Sequence, residues 1–232
     1  MILGPDDWEV IRLSLKVAVV GVLLTLPVAF GLAYTLARGR FPGRILLDAL
    51  VHLPLVLPPV VTGWILLILF GRTGPIGGWL DRVFGVTLMF RWTGAALAAA
   101  VMALPLMVRA MRLSIEAVDR RLEGAARSLG ASRWRVFLTI TLPLSLPGVW
   151  AGLVLGFARS LGEFGATISF VSNIPGETRT LPIAIYELLS VPGGMPGVQR
   201  LSIVALCVAI AAAASATLIA GGMLRRGNGH GR

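Results

Sequence analysis

The sequence is short of nearly every residue type that performs chemistry. It holds one lysine (Lys16), one cysteine (Cys207) and two histidines (His52 and His230). A nucleotide-binding P-loop needs Gly-Lys-Ser/Thr to hold phosphates, and Lys16 lies between Leu15 and Val17. A single cysteine excludes a disulfide within the chain, and Cys207, set in an apolar run, reads as a packing residue. These three side chains cannot supply zinc-ligand spacing, so no metal site is expected. Catalysis by this chain alone is not expected. Charge is scarce too, at 14% of residues, against about a quarter in soluble domains.

Hydrophobic residues are abundant, at 56% of 232. A chain this short cannot hide so much apolar surface in one water-soluble core. A bilayer is the simpler solvent, and a spanning helix needs about 20 mostly apolar residues. Five stretches qualify: 10–37, 45–70, 93–113, 144–171 and 201–224. The expected fold is all-α, a polytopic membrane protein with five transmembrane helices in one domain covering 1–232. The first stretch is too long for a signal-peptide core, and its flank is acidic (Asp6, Asp7, Glu9) where a signal would be basic.

The net charge of +10 raises the question of nucleic acid. The basic residues lie between apolar runs and not on a basic arm, so they are read as topology determinants, with no nucleic-acid partner expected. One set of connections, with the C-terminal segment, holds thirteen of them: Arg38, Arg40, Arg44, Arg109, Arg112, Arg120, Arg121, Arg127, Arg133, Arg135, Arg225, Arg226 and Arg232. The opposite set holds five: Arg72, Arg82, Arg91, Arg179 and Arg200. The positive-inside rule makes the first set cytoplasmic. The N-terminus is then outside and the C-terminus inside. Two long external connections, 71–92 and 172–200, each carry a stretch suited to a short surface helix, Ile76 to Phe84 and Leu181 to Leu189. The tail 226–232 is expected to be disordered.

The cytoplasmic connection 119–143 carries the most specific pattern. Leu122, Ala125, Ala126 and Leu129 fit one face of a short helix. Glu123 and Arg127 are spaced to pair on its side. Gly130 suits a left-handed helix stop, and Ser132 suits the cap of a second helix bearing Trp134, Phe137 and Leu138. Pro143 falls near that helix's expected end. This helix–Gly–helix element reads either as an ordinary interfacial loop or as a docking element. Pattern alone favours the interfacial loop; the residue order is Ala125-Ala126, then Gly130, then Ile140-x-Leu142-Pro143. That order resembles the coupling-loop signature of ABC importer permeases. The strict signature has glutamate directly before the two alanines, whereas here Gly124 stands there and Glu123 is one place earlier.

The resemblance implies that the loop (Glu123, Gly124, Ala125, Ala126, Gly130, Ile140, Leu142, Pro143) docks on a separate ATPase subunit. ATP is then bound by the partner, and no cofactor by this chain. Three further segments resemble the molybdate permease subfamily: His52-Leu-Pro-Leu-Val-Leu-Pro-Pro-Val-Val61, Phe157-Ala-Arg-Ser-Leu-Gly-Glu-Phe-Gly-Ala-Thr167 and Val171-Ser-Asn-Ile-Pro-Gly-Glu-Thr-Arg-Thr180. The resemblance implies a lipid-embedded homodimer in the bacterial inner membrane, two ABC ATPase subunits, and a periplasmic or extracellular oxyanion-binding protein. Sulfate and tungstate permeases of the same family are the near alternative. A non-ABC anion channel or a secondary transporter is the distant one.

On a helical wheel of the fourth span, Gly148, Gly152, Gly156, Arg159 and Glu163 share one stripe. The glycines are expected to permit close helix packing against the dimer axis or another helix. Charges inside a span face protein or water, so Arg159 and Glu163 form either a structural pair or a gate on the anion's path. Pro54, Pro58 and Pro59 interrupt backbone bonding in the second span. Thr62 beside them is a candidate path residue. In the connection 172–180, Glu177 and Arg179 are candidates for contact with the binding protein, or a solvated local pair.

Overall fold

The computed structural model describes residues 3–228, and every regular element among them is helical. Helix α1 (Pro5–Arg38) starts with proline, whose missing N–H is harmless in a first turn. Asp6 and Asp7 follow, at the end of the helix dipole that favours negative charge. Its 34 residues come to about 51 Å at 1.5 Å each. That exceeds a hydrocarbon core of about 30 Å, so the helix is long enough to span it.

The reading of 45–70 as one span gives way to two helices. Helix α2 (Arg44–Val56) and helix α3 (Pro59–Phe70) meet at 114°. Pro58 and Pro59 cause the break, because neither offers an N–H. A following proline also pushes its predecessor out of helical geometry, and Leu57 is extended at φ −72°, ψ 144°. Helix α4 (Pro75–Phe84) occupies the stretch read as a short surface helix and stops at Gly85, φ +62°.

Helix α5 (Trp92–Ala117) is the centre of the bundle. Ala95, Ala96, Ala98, Ala99 and Ala103 are each at most 2% exposed, and small side chains let neighbouring helices approach closely. After α5 come α6 (Arg120–Ser128), α7 (Arg133–Val136), a π-helical segment (Phe137–Thr141) and α8 (Leu142–Leu161). From Arg133 to Leu161 the helix is one run of 29 residues. Pro143 therefore does not end a helix, contrary to the sequence reading. A proline disturbs the turn before it. The wider π turn takes up that disturbance, with the Leu142 N–H donating to the Phe137 carbonyl five residues back.

The stretch 144–171 is likewise broken. Helix α8 stops at Leu161, and α9 (Gly165–Val171) starts after a three-residue break. Helix α10 (Leu181–Leu189) and helix α11 (Met195–Asn228) complete the chain. Residues 226–228, read as part of a disordered tail, close α11, and residues 229–232 lie outside the described residues. Among the described residues, four helical stretches are long and apolar enough to cross a membrane, or five with the bent α2–α3 pair counted as one.

Helices α1 and α8 pack on α5. The glycine stripe of α8 faces α5 and not an open surface. A Cβ on Gly148 would lie 2.2 Å from Ser114 Cβ, and one on Gly156 would lie 2.7 Å from Met107 Cγ. Ser114 also donates its hydroxyl to the Ser145 carbonyl at 3.3 Å, and accepts from the Gly148 N–H at 3.2 Å.

Candidate functional site

At the basic end of the bundle, local chemistry builds a bent element. The Asp119 carboxylate accepts from the Arg121 N–H at 2.8 Å and starts α6. Gly130 follows at φ +86°, a conformation in which a side chain is strained. The Ser132 hydroxyl accepts from the Arg135 N–H at 3.3 Å and starts α7. The element stands proud of the bundle. Leu129 is 89% exposed and Trp134 75% exposed, with Leu122, Leu138 and Ala125 exposed beside them. Gly124, Ala126, Ile140 and Leu142 are half-buried, and Pro143 is exposed.

Glu123 is the fastening of this element, and its partner is not the one read from spacing. Arg38, at the end of α1, donates from Nη2 to Glu123 Oε1 at 3.0 Å and to the Val118 carbonyl at 3.0 Å. The Thr141 hydroxyl donates to the same Oε1 at 2.8 Å. Arg127, four residues along α6, reaches only the Glu123 carbonyl, from Nε at 3.2 Å. The Arg38 and Glu123 side chains are 11% and 14% exposed, and charge pairing is stronger where water is thin. One carboxylate thus joins α6, the end of α1 and the π segment.

The two chain breaks meet deeper in the bundle. A Cβ on Gly63 of α3 would lie 2.6 Å from the Ala166 carbonyl of α9, and one on Gly165 would lie 2.8 Å from Pro59 Cβ. Glu163 sits in the second break, 3% exposed. Its Oε2 lies 2.5 Å from Arg159 Nη1, and its Oε1 accepts from the Ala166 N–H at 2.8 Å. One carboxylate pairs the arginine and starts α9. Thr62, on α3 next to Gly63, is 5% exposed, and its hydroxyl has no hydrogen-bond partner among the described residues.

The connection 172–180 at the opposite end is held from within. The Thr178 hydroxyl accepts from the Ile174 N–H at 2.8 Å and donates to the Ser172 carbonyl at 2.9 Å. Arg179 pairs with Glu187 of α10, not with Glu177, through Nη2 to Oε1 at 3.1 Å, and Asn173 bridges the two. Glu177 is exposed. The Ser14 hydroxyl of α1 accepts from the Leu181 N–H at 2.6 Å, and Asp7 pairs with Arg200 at 3.2 Å.

Arg38 and Thr141 are the residues that pattern reading misses. The 85 positions between Arg38 and Glu123 leave no spacing signal. A cluster on α2 and α5 is half hidden in the same way: Arg112 Nη1 donates to both Asp48 carboxylate oxygens at 3.1 Å across 64 positions, while its Nε donates at 2.9 Å to Glu116, four residues along the same helix.

The family described as "Binding-protein-dependent transport system inner membrane component" matches residues 25–225. The molybdenum transport system permease protein ModB of Escherichia coli K12 is 60% identical over 210 residues, which is 90% of this chain and 92% of that protein. The sulfate transport system permease protein CysT of the same organism is 42% identical, over 78% of this chain and 69% of that protein. Among solved structures, a chain of a bacterial ABC transporter that imports the acidic polysaccharide alginate aligns with a TM-score of 0.70 at 20% identity, over 97% of this chain and 80% of that one.

Proposed function

Because the chain belongs to the family of binding-protein-dependent transport system inner membrane components, we propose that it is the membrane-spanning permease subunit of an ABC importer for molybdate. The higher identity to the molybdenum permease than to the sulfate permease supports molybdate over sulfate. ATP is bound and hydrolysed on separate subunits. One docking element per chain and no internal repeat call for two copies around a two-fold axis, with two ATPases below and an oxyanion-binding protein above.

The observation that carries this reading is the exposed bent element of α6 and α7, continuous in helix with α8. A channel or secondary transporter has no use for it. Leu129 and Trp134 offer apolar anchors to a partner's groove. Movement of the partner pushes α6, Gly130 sets the bend, and α7 passes the motion up the unbroken run to Leu161. Glu123 carries α1 along through Arg38. The element faces the cytoplasm, as the excess of arginine at that end implies, so the N-terminus is external and the C-terminus internal.

The two apposed breaks lie on the route of the anion. Arg159 supplies attraction for a dianion, and its pairing with Glu163 keeps that attraction shallow enough for release. Thr62 offers a hydroxyl on the same route. On the external side, Glu177 is free to meet the binding protein, while Arg179 braces the connection from inside through Glu187.

The test is ATP-dependent molybdate uptake by the reconstituted transporter with Gly130→Val. A β-branched residue at φ +86° is a strained outlier. Uptake should fall at least tenfold while the chain still inserts in the membrane. Normal uptake by this variant, or uptake by the chain alone without a nucleotide-binding partner, refutes the reading.

A further inference from the structure

We propose that the cavity between the end of α1 and the α6–α7 element is a binding site for a tetrahedral oxyanion group. The cavity has a volume of about 320 Å³, at the small end of the range for ligand pockets. Four arginines line it: Arg38 from α1, Arg120 and Arg127 from α6, and Arg133 from α7, with Tyr34 beside them. Glu123 is the only carboxylate in the lining, and it is already engaged by Arg38 and Thr141. The cavity therefore carries a positive excess that no lining group offsets.

The donors are under-used as well as numerous. Arg38 Nε is buried and has no hydrogen-bond partner among the described residues. Buried polar groups in proteins are nearly always partnered, so an orphaned donor needs an explanation. Arg120 makes only a long bond, 3.4 Å, to the Ala37 carbonyl. Arg127 uses Nε on a backbone carbonyl, and Arg133 makes no ion pair or side-chain hydrogen bond among the described residues. Planar guanidinium forks converging from three elements match the acceptors of a phosphate-like group. A bound oxyanion supplies acceptors to the guanidinium groups that reach the cavity.

Such a group staples the bent element to α1 by a second fastening beside Glu123. It comes from one of two sources with the same chemistry: a free oxyanion in solution, or the phosphate of an anionic lipid headgroup, since Arg38 ends a spanning helix. That stapling affects transport only under the coupling role proposed above. The binding itself does not depend on that role.

The experiment follows thermal unfolding of the full-length chain in neutral detergent, with inorganic phosphate, sulfate or molybdate against chloride at equal ionic strength. A second arm uses nanodiscs of phosphatidylcholine with and without phosphatidylglycerol. Ligand binding to the folded state raises the unfolding temperature, and a rise of about 2 °C or more is expected. The double variant Arg127→Gln, Arg133→Gln alters two exposed side chains and should abolish the rise. Arg82→Gln, on α4, should leave it intact. Equilibrium dialysis of phosphate should give about one anion per chain at saturation, lost in the double variant. A rise with free anions assigns the site to a soluble oxyanion, and one confined to phosphatidylglycerol assigns it to the lipid headgroup. No rise in either arm, or a rise that survives in the double variant, overturns the proposal.

Discussion

Glu123→Gln perturbs the fastening between α6 and α1 with little change in shape. The ion pair it breaks is 3.0 Å long, with side chains 11% and 14% exposed. At an effective dielectric near 20, the gross attraction at that distance is about 5.5 kcal/mol. Most of it offsets the desolvation of two charges. The informative quantity is therefore the penalty for stranding Arg38. Losing one partner of a fully buried pair costs about 3–5 kcal/mol. Residual exposure lowers that figure, and the glutamine carbonyl still accepts from Thr141. About 2 kcal/mol of destabilisation is expected. Arg38→Met combined with Glu123→Gln removes the stranded charge, so the double variant should recover about 1–2 kcal/mol relative to additivity. Denaturant unfolding of the detergent-purified chain gives the stabilities. Limited trypsin digestion supplies an independent reading, because Arg120, Arg121, Arg127, Arg133 and Arg135 all lie on the element being loosened. Cleavage there should quicken several-fold in Glu123→Gln. Additive single-variant effects, with unchanged cleavage, would refute the idea that this carboxylate holds the element to α1.

Gly148→Ala should destabilise the chain by more than about 2 kcal/mol and Gly152→Ala by less than about 1.5. The new methyl at 148 meets Ser114 Cβ at 2.2 Å, whereas the one at 152 first meets the flexible tip of Met111 at 2.9 Å; equal effects in unfolding experiments would contradict this. Glu163→Gln keeps an acceptor for the Ala166 N–H but uncovers the Arg159 charge. The reconstituted transporter should then hold molybdate longer and turn over several-fold more slowly, with membrane insertion unchanged. An unaltered uptake rate would place the pair outside the transport cycle. Thr178→Val removes a fully buried hydroxyl with two hydrogen bonds, a loss of about 2 kcal/mol. Faster amide exchange at Ile174 is the expected sign.

The local elements were legible because their signals are local. Leu181–Leu189 stands out as an apolar stretch after Thr180, and α10 occupies that stretch. Gly130 and Ser132 each act within three residues of themselves, so the bend could be read from a stop and a cap. The continuity of Arg133 through Leu161 could not. Pro143 argues for an ending, and the π turn ahead of it, which no periodicity announces, absorbs the proline as the helix goes on. The wheel drawn for α8 placed its glycines on one face, because Gly148 to Gly156 lie within unbroken helix. It carried no authority for Glu163, which lies beyond the break at Gly162 and is aimed by capping α9. Contacts such as Ser14 with Leu181, 167 positions apart, arise from packing of whole helices. No periodicity announces them.

The π segment also sets a phase. A wide turn inserts about one residue, so the faces of the helix before and after it are offset by roughly 100°. Trp134 can thus point away from the bundle while Ser145 and Gly148, on the same continuous rod, point into it. Deleting Leu138 or Thr139 from Phe137–Thr141 would restore an ordinary helix and swing the whole projecting element about its axis, with every other side chain intact. The angle at which this protein presents itself to whatever grips it is therefore written as a length, five residues of loosened coil, and not as any one contact.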